Sequence, residues 1–254
     1  MNARMKGHRM PETGFLDRVS TVGRSRRRYQ VYIPPTWTPR RRWPVILFLH
    51  GMGERGDDGL LQTQVGLGGA IRRQRKRFDR FVVVFPQCSK RVFFWHSRSA
   101  QGHAMAALER TIRQFNGDRD RVYLTGLSMG GYGTYNMAGR FPGTFAAAVA
   151  VCGGVVPPSH HPELRAKMRI ADGADPYADA ARRIGKLPMW IFHGRRDDTV
   201  PVSESRRMAA ALRAAGGKVR YTEFPKEGHG SWGPAYDHPP LLGWLLRQKR
   251  RQRD

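Results

Sequence analysis

The sequence predicts an α/β protein with a mostly parallel central sheet and helices on both faces. Three observations carry that expectation. Short apolar, β-rich runs alternate with helically spaced segments, as in successive βαβ units. The runs at 45–49 and 81–85 are apolar without alternation, as strands covered on both faces are. A third run, 122–125, passes through a glycine-rich turn directly into a helical segment.

In chain order, residues 28–33 alternate and stop at Pro34-Pro35, which predicts an early edge strand. Residues 45–49 form a buried strand, and residues 81–85 another, ended by Pro86. Met105, Leu108, Ile112 and Phe115 recur at helical spacing and predict an amphipathic helix. The strand at 122–125 is followed by a helix to about Gly139. Residues 146–151 and 189–192 read as strands. Ser203 is placed to cap a helix that carries Met208 and Leu212 and stops at Gly216-Gly217. Residues 219–224 form a late strand, and residues 240–246 a last helix with prolines in its first turn. The stretch 153–187 is long for a connection. It holds Pro157-Pro158, His160-His161 and a helix around 177–184, and reads as a small cap or pocket wall. The basic tail, 247–254, is expected to fray.

A chain of 254 residues suits a single domain of this type, and 40% hydrophobic content supplies a core and excludes general disorder. No apolar run approaches the roughly 18 residues of a membrane span. The first 14 residues are polar and basic and lack the apolar stretch of a secretory signal, so a cytoplasmic location is expected. Cys88 and Cys152 make no disulfide framework or metal spacing and read as small buried hydrophobes. Lys and Arg total 45 against 20 acidic residues, a net charge of +25. The excess is spread through arginine runs at 24–28, 40–42, 72–77 and 247–253, with no nucleic-acid recognition motif beside them. It reads as a solvated basic surface rather than a nucleic-acid site.

The chemistry begins at Gly126-Leu127-Ser128-Met129-Gly130, between a strand and a helix. A serine there protrudes from a sharp, strained turn, and glycines on either side avoid collision with the neighbouring strand and helix. The next amide, from Met129, faces any charge developing on a bound carbonyl oxygen, aided by the helix N-terminus. A serine nucleophile needs a base, and the base an orienting acid, from the carboxyl ends of later strands. Asp197 and Asp198, after the strand at 189–192, compete for the acid. His229, flanked by glycines after the last strand, is the better placed base, since His238 opens a His-Pro-Pro helix entry. The loop His50-Gly51-Met52-Gly53 lets the backbone approach a substrate closely, and the Met52 amide is the expected second oxyanion donor. Glu54 and Arg55 either brace that loop by charge pairing or face solvent. His50, His96, His103 and His193 read as structural or solvent-facing, and no third ligand has the spacing to make His160-His161 a metal site.

These pieces resemble the α/β-hydrolase group that includes phospholipase/carboxylesterase-type enzymes, feruloyl and polyhydroxybutyrate-depolymerase-like esterases and predicted peptidases. The matching stretches are residues 50–56, Pro86-Gln87-Cys88, 120–131, 193–201 and Gly228-His229. The resemblance implies the α/β-hydrolase fold, Asp197 as the acid, Ser128 and His229 as its partners, and Met52 and Met129 as oxyanion donors. It also implies that Trp95 and Trp232 line the acyl or alcohol pocket, with core or rim packing as the alternative. The expected reaction is hydrolysis of a small or aryl ester through an acyl-enzyme, with no metal or organic cofactor. The rivals are a serine peptidase with the same residues and, from another class, a polyanion-binding protein on an inert hydrolase scaffold.

Overall fold

The computed structural model describes residues 12–92, 94–157 and 174–250. These form one eight-stranded sheet in the order β1-β2-β4-β3-β5-β6-β7-β8. The strands are β1 (Gly14–Val22), β2 (Ser25–Ile33), β3 (Trp43–Leu49), β4 (Val82–Pro86), β5 (Gly117–Leu127), β6 (Ala147–Val151), β7 (Met189–Gly194) and β8 (Val219–Phe224). Pairing is antiparallel for β1 with β2 and β2 with β4, and parallel across the remaining six strands. The helices are α1 (Leu67–Arg73), α2 (Arg98–Gln114), α3 (Met129–Arg140), α4 (Pro176–Ile184), α5 (Val202–Ala214), α6 (Trp232–Asp237) and α7 (Pro240–Arg247).

Side-chain alternation divides each central strand between two cores. Val45, Leu47 and Leu49 of β3 pack with Ala104 and Leu108 of α2, Tyr135 and Met137 of α3, and Met208 and Leu212 of α5. Ile46 and Phe48 face the opposite side, with Leu67 and Ile71 of α1, Tyr236 of α6 and Leu241 and Trp244 of α7. Helices therefore cover both faces, as the apolar runs require.

Three sequence expectations change. The stretch 28–33 is not an edge strand. It belongs to β2, which pairs on both sides, and the half-exposed β1 takes the edge. Ser203 lies inside α5 rather than capping it: Pro201 occupies the cap position, and no side-chain cap bond forms. The C-terminal tail does not fray at once. α7 runs to Arg247, and Arg250 is pinned to Asp120 through both main chain and side chain and to the Gly143 carbonyl. Residues 251–254 lie outside the described residues.

Within 153–187, the described parts are tied to the scaffold by Glu204 of α5. Its Oε2 accepts the amides of Val155 (2.8 Å) and Val156 (3.0 Å), and its Oε1 accepts the hydroxyl of Tyr177 on α4 (2.5 Å). Residues 158–173, with His160-His161, lie outside the described residues. No described helix is long and apolar enough to cross a membrane.

Candidate active site

Ser128 joins β5 to α3 with φ 52° and ψ −120°, backbone values a non-glycine residue holds only under constraint. The constraint is visible. The Ser128 amide donates to Val151 O of β6 (2.9 Å), while its carbonyl accepts from the amides of Gly131 (2.8 Å) and Tyr132 (3.1 Å). The flanking glycines are needed for space. A Cβ on Gly126 would lie 2.2 Å from Gly130 O, and one on Gly130 would lie 2.0 Å from Leu49 O.

Three side chains distant in sequence meet at this turn. His229 Nε2 is 2.9 Å from Ser128 Oγ, and His229 Nδ1 is 2.8 and 3.0 Å from the two carboxylate oxygens of Asp197. Asp197 is seated by its own loop, where Oδ1 accepts the amides of Thr199 (3.0 Å) and Val200 (2.8 Å). Its side chain is fully buried. Burial alone would raise its pKa. Hydrogen bonds from His193, His229 and the Val200 amide, with the charge of His229, outweigh burial and hold it well below the usual carboxylate range. Asp198, the competitor, is exposed and takes the Thr199 hydroxyl.

His50, expected to be structural or solvent-facing, is buried beneath the loop that carries Met52. The Cys88 amide donates to His50 Nε2 (2.9 Å), so the ring hydrogen sits on Nδ1, 2.6 Å from Gly51 O. The Gly51 carbonyl and the Met52 N–H belong to one planar peptide, so holding one aims the other. Burial pushes the His50 pKa down to about 4 and keeps the ring neutral. Trp95 does not line the pocket. It is fully buried, with its indole N–H donating to His50 O (2.9 Å) and its ring edge-on to the imidazole. Its neighbour Phe94, at φ 56°, takes the place on the wall. Arg55 donates to Met52 O, 3.2 Å, and lies over the Phe94 ring rather than pairing with Glu54. Glu54 is half-buried, and its pKa is raised by that burial.

Ser128 and His229 open into a cleft of about 290 Å³ walled mainly by Met52, Val65, Phe94, Leu127, Tyr132 and Trp232. Met129 and Glu54 also reach it, and the Trp232 ring stands edge-on to His229 at 5.5 Å. Among the described residues, 153–187 supplies no wall residue, although the Tyr132 hydroxyl on the wall donates to Val156 O (3.3 Å). Cys152, Asp197 and His229 bring a sulfur, an oxygen and a nitrogen within 4.8 Å of one another. That set fits a metal poorly. Burial raises the Cys152 thiol far above neutrality, and the carboxylate and imidazole already bond each other.

A serine, an imidazole and a carboxylate in series at the carboxyl edge of a mostly parallel sheet define an α/β-hydrolase. Within that class, the chain belongs to the prolyl oligopeptidase family, whose model matches residues 102–248, more than half of the sequence. Acetylxylan esterase A of Emericella nidulans is 27% identical over 195 residues, covering 65% of this chain and 59% of that protein. Dipeptidyl aminopeptidase BIII of Pseudoxanthomonas mexicana is 29% identical over 147 residues, covering 49% of this chain and 21% of that enzyme. The crystal structure of a thermostable esterase superposes with a TM-score of 0.76 at 30% identity, covering 93% of this chain and 63% of the other. The chain thus spans less than two thirds of each of these relatives. An acylaminoacyl peptidase from Pyrococcus horikoshii shares the fold, with a TM-score of 0.70 at 18% identity, over 95% of this chain and 43% of its own.

Proposed function

We propose that the chain is a serine carboxylic-ester hydrolase acting on small or aryl esters through an acyl-enzyme. The observation that carries this is the unbroken series from Ser128 Oγ to His229 Nε2 and from His229 Nδ1 to Asp197, opening into an apolar cleft. His229 takes the serine proton as Oγ attacks the carbonyl carbon. Asp197 fixes the imidazole so that Nδ1 carries a hydrogen, and it stabilises the imidazolium that forms. The amides of Met52 and Met129 receive the oxyanion. His229 then protonates the departing alcohol, and water repeats the sequence on the acyl-serine. Trp232 and Phe94 hold the acyl or aryl group. Likeness to an acetylxylan esterase and a thermostable esterase supports ester over peptide substrates.

The test is p-nitrophenyl acetate turnover with fluorophosphonate labelling. Ser128→Ala is expected to lose both, with kcat down by about 10³-fold or more and the fold intact by circular dichroism. Full turnover in that variant overturns the mechanism. The dipeptidyl aminopeptidase relationship supports a second reading, and turnover of dipeptidyl amides exceeding that of esters selects it.

A further inference from the structure

We infer that His193 is a positioning residue for the proposed reaction, holding Asp197 from the side opposite His229. The inference rests on Asp197 being the acid of the unit. His193 stands at the carboxyl end of β7, four residues before Asp197, and its side chain is fully buried. Its Nε2 lies 3.1 Å from Asp197 Oδ2 and 2.9 Å from Val200 O. Both oxygens only accept, so Nε2 carries the hydrogen. Its Nδ1 is 2.7 Å from Ser205 Oγ on α5, which holds the other side of the ring.

Asp197 is therefore gripped between two imidazoles. Oδ1 takes two loop amides, His193 Nε2 stands 3.1 Å from Oδ2, and His229 Nδ1 faces both oxygens. His193 also ties Val200 O to the same nitrogen, so it fixes the turn that supplies one of those amides. The titratable groups that feel the carboxylate from other elements are Cys152 after β6 and Tyr132 of α3; Tyr135 of α3 lies beside Ser205, and Glu204 of α5 acts on both phenols. Burial raises the thiol and both phenols, which stay neutral at working pH, and Glu204 is engaged by Val155, Val156 and Tyr177. The second donor on Oδ2 does two things. It fixes the plane in which Asp197 meets His229, and it draws negative charge away from that contact, so the carboxylate stabilises the imidazolium without trapping it.

Two variants separate these effects from simple destabilisation. His193→Leu removes the donor, and His193→Gln restores an N–H near the same point. With p-nitrophenyl acetate, His193→Leu is expected to lower kcat by about 10²-fold with KM within about twofold. The acid limb of its kcat/KM profile should move to higher pH, because a carboxylate with one donor fewer holds the imidazolium more tightly. His193→Gln should recover most of the rate and the original limb. An independent readout needs no turnover: in a Ser128→Ala background, the downfield proton resonance between His229 Nδ1 and Asp197 should move further downfield with His193→Leu and return with His193→Gln. A folded His193→Leu protein with an unmoved resonance, or with wild-type kcat and an unmoved acid limb, overturns the role of His193. Absence of Ser128-dependent turnover in the unsubstituted protein instead overturns the hydrolase assignment, and the resonance still decides the role of His193.

Discussion

The backbone at Ser128 holds a conformation that its own side chain disfavours, and neighbouring glycines make it affordable. Gly130→Ala puts a methyl 2.0 Å from a main-chain oxygen of β3, where no side chain can rotate away. It is expected to cost about 3 kcal/mol or more and to lower Tm by about 6–12 °C, measured by thermal unfolding. Gly230→Ala meets nothing within 4 Å and serves as the near-neutral control. At this scale the serine was legible in the sequence because its geometry is local, a strand, a turn and a helix in twelve residues. Asp197 and His229 were legible from strand order and resemblance. His50 and His193 were not, because an imidazole takes its meaning from neighbours that only the fold supplies: Cys88 N–H for one and Asp197 for the other. Trp95 and Phe94 are adjacent in sequence, and only the unusual backbone at Phe94 sends the second to the wall and leaves the first in the core.

Among the elements, the apolar strands were plain in the sequence and β1 was not. Gly14–Val22 is an edge strand, half-exposed and interrupted by Asp17 and Arg18, so it offers no continuous apolar run. Its partner β2 begins in arginines, and the two-residue turn Gly23-Arg24 carries a weak hairpin signal. β5 starts five residues earlier than its apolar run because Gly117–Arg121 is polar at the sheet's rim. Packing between elements also turns on single polar groups. Glu204→Ala leaves the buried amides of Val155 and Val156 without their acceptor. The expected cost is about 2–4 kcal/mol in urea unfolding, with faster amide exchange at those two positions. Unchanged exchange there would place the restraint elsewhere.

Over the whole molecule, part of the +25 charge lies on exposed arginines and lysines of segments that lead into the parallel strands, such as 40–42, 75–80 and 113–119. These lie at the sheet edge opposite Ser128. Acid adds to that self-repulsion and also strikes the interior. Burial depresses His50 and His96 to about 4, so each contributes stability that is complete above its unfolded pKa of about 6.5 and is lost as pH falls from there toward 4, up to about 3 kcal/mol apiece. Asp197, also depressed, contributes stability that is present above about 4 and lost only below it. Tm is therefore expected to fall by about 10 °C or more between pH 7 and 4.5 at fixed ionic strength, followed by a second loss at stronger acid. A level Tm across the first window would mean that water reaches both imidazoles. The junction at Glu204 has a separate consequence. The chain departs after Val156 and returns before Tyr177 at the same carboxylate, so one side chain of α5 ties together two points far apart in sequence. The departing root also touches Tyr132 on the cleft wall. A single substitution at Glu204 therefore reaches both ends of that stretch and, through Val156, the cleft wall.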